Sequence, residues 1–234
     1  MKLVWCPETA SKAYIDTVKY NPRICVVGDA THIQYWRPCE VFEESSVAEL
    51  ISAMAGGWKP QLIVETWYHG GAVTTSVGLA VASRHTCGRH VCVVPDEQTR
   101  LDYTEAMRNA CDMSPEVIVG EVEEVMGDLV GIDFLVVDCR LKDFARILSI
   151  AKLSHRGAVL VCKNSSPRTY STFRWRTVMG SRSRIVRSAY LPVGKGLEIA
   201  YVATSGGSLS PGKATSRWVR HIDQLSGEEH VYRR

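Results

Sequence analysis

From residue 61 onward, short apolar runs alternate with longer stretches whose apolar residues recur every three or four positions. QLIVETW (61–67), HVCVVPDE (90–97), residues 116–119, DFLVVDC (133–139) and GAVLVCKN (157–164) read as strands. Residues 73–84, 97–110 and 142–153 read as the helices between them, with a helical turn or two at 121–129. Strands this continuously apolar are buried on both faces, as parallel strands are. The alternation therefore predicts an α/β fold: a doubly wound, mostly parallel sheet with helices on both sides.

The two ends read differently. Residues 8–19 form a helix that Thr9 or Ser11 caps. A second helix spans 45–56, with Ser45 or Ser46 as cap, Glu49 at capping-box spacing and Gly56-Gly57 as its stop. The stretch 20–39 between them has no firm placement, although ICVVGDA reads as a short strand. Residues 183–194 and 196–204 are two strands around Gly194-Lys195-Gly196, a hairpin signal that closes the sheet with an antiparallel pair. A Gly/Ser/Pro-rich loop at 205–214 follows, then a final hairpin built from RWVRHID and EEHVYRR.

Composition narrows the class. A chain of 234 residues, 45% hydrophobic and 23% charged, suits one globular α/β domain. Pro7 ends the N-terminal apolar run too early for a signal peptide, and no run approaches the ~18 residues of a membrane span. The eight cysteines include no C-x-x-C pair. They read as reduced thiols, which points to the cytoplasm or nucleus rather than to a zinc site.

Charge is unevenly placed. Residues 1–143 carry 12 Lys+Arg and 21 Asp+Glu, a net of −9, whereas 144–234 carry 16 and 4, a net of +12. No acid occurs from Phe144 to Leu197. This is either a solvated basic face or contact with a phosphate-bearing polyanion across 144–197. Within it, Phe173 and Trp175 interleave with Arg174, Arg176, Arg182, Arg184 and Arg187, a mixture able to stack on bases, without any RNP, KH or helix-turn-helix motif.

Three segments carry a family resemblance. LPVGKGLEIAYV (191–202), VIVGEVEEVMGDL (117–129) and GIDFLVVDC (131–139) resemble the final hairpin, the acidic turn and the fourth strand of class I S-adenosylmethionine-dependent methyltransferases. The nearest group is the caffeoyl-coenzyme-A and catechol O-methyltransferases, and the whole chain resembles a plant family known as methyltransferase-like. The resemblance implies a Rossmann-like domain over 1–204, with 20–38 as an apparent insertion, and a basic extension over 205–234. It implies S-adenosylmethionine as cofactor, a small-molecule acceptor and a cytoplasmic protein.

The resemblance also assigns residues. Glu65 and Gly71 match the first motif, but Trp67 and His69 replace two of its glycines, which ordinarily let the backbone approach the cofactor. Asp96 is two positions late for the acid that grips ribose, and serves either there or as a helix cap. Glu121 fits the adenine-side acid, and is equally an ordinary first-turn helix acid. Asp138 and Asn164 match two metal ligands of the metal-dependent members, while Lys163 stands where the third belongs. A protonated lysine cannot ligate a hard cation. The implied enzyme is thus an atypical, metal-independent and O-directed methyltransferase. Asp138, Lys163 and Asn164 are its candidate catalytic group, and Glu65, Gly71, Asp96 and Glu121 are its candidate cofactor residues. Lys163 would pair with Asp138, as a structural bridge or as the group that orients an acceptor hydroxyl. The alternative is a non-catalytic methyltransferase-like relative that keeps the fold for binding a phosphate-bearing partner or a nucleic acid.

Overall fold

The computed structural model describes residues 5–20, 41–165, 173–180, 183–204, 218–222 and 229–233. The expected insertion lies almost wholly outside them, as do Arg182 and most of the C-terminal extension. Helices are α1 (Pro7–Tyr20), α2 (Val41–Trp58), α3 (Thr74–Thr86), α4 (Glu97–Ala110), α5 (Val122–Asp128), α6 (Phe144–Ile150) and α7 (Trp175–Met179). Strands are β1 (Leu62–Thr66), β2 (Arg89–Val94), β3 (Glu116–Val119), β4 (Val130–Ile132), β5 (Phe134–Asp138), β6 (Lys152–Leu153), β7 (Ala158–Lys163), β8 (Ser183–Leu191), β9 (Leu197–Thr204), β10 (Trp218–Ile222) and β11 (Glu229–Arg233).

Seven strands form one sheet in the order β3-β2-β1-β5-β7-β9-β8. The first five run parallel, and β9 pairs antiparallel with both β7 and β8. This is the expected doubly wound sheet closed by an antiparallel hairpin. Strands β1, β5 and β7 are buried along their whole length. Alternate residues feed two cores. Val64, Leu135, Val137 and Leu160 face the side of α5, α6 and α7. Ile63, Phe134, Val136, Val159 and Val161 face α1, α2 and α3. At the foot of the sheet the Asp133 carboxylate accepts from the backbone N–H groups of Gln61 (2.7 Å) and Leu62 (3.2 Å), fixing where β1 starts beside β5.

Several elements differ from the pattern reading. Helix α2 begins at Val41, ahead of Ser45 and Ser46, so neither caps it. Gly56 and Gly57 do not stop it; they are packing notches inside it. A Cβ on Gly56 would lie 2.8 Å from both Ala13 Cβ and Thr9 O, and one on Gly57 would run into the Trp5 ring at 2.4 Å. The expected 142–153 helix is shorter, because Lys152–Leu153 peels off to pair with β4 as a small parallel ribbon. The final hairpin forms as β10 against β11.

Close helix contact over the sheet also explains Gly78. A Cβ there would sit 2.6 Å from Ala48 O, a backbone atom of α2 that cannot step aside. Gly78→Ala should therefore cost roughly 1–3 kcal/mol of overpacking, or several degrees of melting temperature for a domain of this size. Gly127, also helical, has nothing within 4 Å of its would-be Cβ. Gly127→Ala should be neutral or stabilise by up to ~1 kcal/mol. Equal melting curves for the two variants would refute this account of helix packing.

Candidate functional site

The strand order reverses between β1 and β5, and in open α/β sheets ligands bind at such a point, beyond the carboxyl ends of the strands. Glu65, Asp138 and Lys163 all stand there. Each lies two residues beyond a side chain that faces α2 and α3 (Ile63, Val136, Val161), so the strand alternation brings all three to that face.

Glu65 is 1% exposed, and both its oxygens are engaged. Oε1 accepts from Tyr103 Oη at 3.0 Å and lies 3.1 Å from His90 Nε2, while Oε2 accepts from Ser76 Oγ at 2.9 Å. Burial alone would raise this carboxyl. The His90 hydrogen bond and charge, the Lys163 charge and the Ser76 hydroxyl outweigh it and hold it below the ordinary range. The carboxylate thus ties β1 to β2, α3 and α4, and it is not open to a ligand.

Trp67 decides the shape of the turn. Its backbone N–H still bonds Val93 O at 3.0 Å, so it extends β1 by one residue. Its ring is buried, edge-on to Tyr103 at 5.3 Å between centroids. Gly71 is needed beneath it, because a Cβ would lie 3.0 Å from Trp67 Nε1. That indole N–H has no hydrogen-bond partner among the described residues. His69 swings out instead, onto Asp102 of α4. The two residues that replace motif glycines therefore behave oppositely: one fills the space under the turn and the other leaves it.

The remaining acids sit at neighbouring ends of β2 and β3. Asp96 is exposed and caps α4, accepting from Thr99 N at 2.7 Å. Glu121 occupies the N-cap position of α5 without a side-chain cap bond, and is also exposed. Gly120 N bonds Val94 O at 3.0 Å, which holds these two turns side by side.

At β5 the expected Lys163–Asp138 bridge does not form. Asp138 is fully buried and pairs with Arg140, whose Nη2 lies 2.8 Å from Oδ2 and whose backbone N–H donates to Oδ1 at 2.9 Å. Asn164 Nδ2 donates to Oδ2 at 2.8 Å from a left-handed backbone position (φ 59) that asparagine tolerates. Burial pushes the Asp138 carboxyl up, and the two Arg140 bonds with the Lys163 charge bring it below its usual value. Arg140 also lies 5.0 Å over the Tyr68 ring, linking the turns after β1 and β5 across the reversal point. Arg140, His90, Tyr103 and Ser76 went unassigned in the sequence. Only Arg140, two positions after a strand-end aspartate, carried a local signal.

Lys163 is left in an unusual state. It is 6% exposed, beside Asp138 in the β5–β7 register, yet among the described residues no hydrogen-bond or ion-pair partner reaches it. It borders a small cleft with Val47, Asn164 and the 194–197 turn. Gly196 keeps that turn tight: its φ is +94, and a Cβ would meet Ser165 O at 2.2 Å.

One expectation about the basic third fails. Phe173 and Trp175 are 8% and 7% exposed, and belong to the core on the α5–α7 side. Trp175 Nε1 donates to Glu198 Oε2 at 3.1 Å. Neither ring is available to stack on a base, whereas Arg174, Arg176, Arg184 and Arg187 are exposed.

Residues 1–234, the full length, match a single family model described as a protein of unknown function, DUF1442. The chain belongs to the DUF1442 family. No curated protein matches this DUF1442 chain in sequence. Among solved structures it resembles a methyltransferase from Geobacter sulfurreducens, with 24% identity and a TM-score of 0.51 over 68% of this chain and 78% of that one. It also resembles an SAH-bound methyltransferase from Podospora anserina, with 15% identity and a TM-score of 0.52 over 86% and 89%. At these identities the likeness establishes the fold: this DUF1442 chain has the Rossmann-like fold of S-adenosylmethionine-dependent methyltransferases. Among the described residues, no helix is long and apolar enough to cross a membrane.

Both depressed carboxyls make stability fall with acid. A group held below its unfolded value stabilises the fold fully above that value, about 4 for these acids, and loses the effect as pH drops through the folded value. Unfolding free energy should therefore decline from pH 5 to pH 3. Arg140→Ala should cost ~1–2 kcal/mol at pH 7, because Asp138 stays buried with fewer donors, and should flatten that decline. Urea titrations at both pH values test it; an unchanged slope in Arg140→Ala would show that Asp138 does not depend on its arginine.

Proposed function

We propose that this chain is an atypical S-adenosylmethionine-dependent methyltransferase, metal-independent and directed at an oxygen of a small-molecule acceptor. The observation that carries this reading is Lys163, nearly buried at the carboxyl end of β7 with no direct side-chain partner among the described residues. An ammonium on a nearly buried side chain at the edge of a cleft is costly to desolvate, and such a cost is retained where a ligand supplies a partner. Asp138, already held by Arg140 and Asn164, contributes a fixed negative charge beside it.

The residues fit the cofactor in part. Asp96 and Glu121 are exposed carboxylates on adjoining turns, suited to the ribose and adenine side. Gly71 shapes the turn after β1. Glu65 stabilises that turn from behind and offers no free oxygen. S-adenosylmethionine, when bound, supplies an electrophilic methyl group. Lys163 would donate a hydrogen bond to the acceptor hydroxyl and favour its ionised form through its positive charge, the work a metal ion does elsewhere. Asn164 and Arg140 would keep Asp138 from taking that ammonium. In-line positioning accounts for most of the rate in such a displacement.

A second reading has its own support. Trp67 fills space that a glycine would leave open, and it is part of the core. This favours a relative that keeps the fold and binds without catalysis.

Calorimetric titration with S-adenosylmethionine and S-adenosylhomocysteine separates the two. With the ribose acid displaced, a loss of ~1.5–3 kcal/mol places the dissociation constant at tens of micromolar. Lys163→Met should keep that affinity and abolish methyl transfer to a panel of hydroxylated aromatic acceptors. Absence of any binding would leave the non-catalytic reading. Submicromolar binding would mean that the altered turn has not weakened the cofactor grip.

A further inference from the structure

A second concave surface lies away from the reversal point. It is a groove of about 410 Å³ between α2 and the outer hairpin. Leu50, Met54 and Trp58 line one wall at intervals of four, a single stripe along α2. Arg187, Ala189 and Leu191 of β8, with Ile199 and Tyr201 of β9, form the other wall. They alternate by two, so all five belong to one face of the hairpin. Strands β8 and β9 are at the end of the sheet, where α2 covers this face only in part.

Trp5 closes one end and is held there. Its ring takes the room left by the missing Cβ of Gly57, and Cys6 N bonds Gly57 O at 2.9 Å. Trp58 meets Tyr201 at 6.0 Å between centroids. The groove thus offers three aromatic rings on an aliphatic floor.

Among the described residues, Arg187 is its single charged lining residue. No carboxylate pairs with it among the described residues, and none occurs in sequence between Phe144 and Leu197. It sits close enough to Tyr201 to oppose the rise that burial imposes on that phenol. A guanidinium bordering an apolar slot recognises a planar anion through paired N–H donors. The volume admits one small organic molecule. We infer that this groove binds a flat aromatic acid, its ring between Trp58, Tyr201 and the α2 stripe and its acidic group on Arg187.

Two isosteric probes test the inference, 2-naphthoate and neutral 2-naphthalenemethanol, titrated calorimetrically into the full chain. The acid should bind at least tenfold more tightly. Arg187→Gln, an exposed change that leaves the core intact, should erase that preference while neutral binding stays the same. Ala189→Trp should fill the slot and weaken both probes more than tenfold, with circular dichroism and melting confirming the fold. Equal affinities for the two probes, or a preference that survives Arg187→Gln, would overturn the inference. So would sedimentation showing a dimer that Ala189→Trp disperses, since a second copy would then be the occupant. Failure here leaves the proposal about Lys163 untouched, because no residue is shared.

Discussion

The carboxylate of Glu65 is the constraint around which the upper half of the sheet is arranged. An ionised group at 1% exposure is tolerable only if hydrogen bonds replace its lost water. Three side chains do so, from three different elements: His90 of β2, Ser76 of α3 and Tyr103 of α4. Removing any one would leave the charge short of a partner at a cost of roughly 1–3 kcal/mol. The requirement fixes the depth of α3 and the approach of α4, and with them the turn from β1 into α3. Trp67 follows from the same arrangement. Tyr103 must lie close over β1 to reach Glu65, and its ring edge then packs against the indole two residues further on.

Much of this was legible before any coordinates, and the part that was not has a common cause. The apolar runs of β1, β2, β5 and β7 announced strands because burial on both faces leaves no polar alternation. Helix α4 was read to the residue, Glu97–Ala110 behind its Asp96 cap. Gly56-Gly57 misled because glycine has two uses, ending a helix or admitting a neighbour. Only the position of Ala13 and Trp5 across the gap tells which applies. Phe173 and Trp175 misled likewise. Aromatics among arginines suit nucleic acid or core equally, and Glu198, distant in sequence, receives the indole N–H.

The site followed the same rule. Residue identities at the strand ends came from the sequence, but their pairings did not. Lys163 and Asp138 are register neighbours, which invites a bridge. Arg140 forms it instead, because its backbone N–H and its side chain reach the same carboxylate together. A planar guanidinium with a backbone donor beside it satisfies both oxygens, whereas an ammonium on a strand would meet only one. Lys163 is thereby released from structural duty.

That release is what separates a fold from a function here. A neutral side chain in place of Lys163 would avoid the desolvation of an ammonium, and Asp138 would still have Arg140 and Asn164. The ammonium makes no direct contact among the described residues, while its charge reaches both Glu65 and Asp138. Glu65 accepts hydrogen bonds from Ser76 and Tyr103 and lies against His90. Asp138 is neutralised by Arg140. The Lys163 ammonium, which has no direct partner among the described residues, lies at the carboxyl end of β7 and lines the cleft beside Asn164 and the 194–197 turn. In the proposed reaction its partner is a ligand group that is anionic, or becomes so as a hydroxyl gives up its proton.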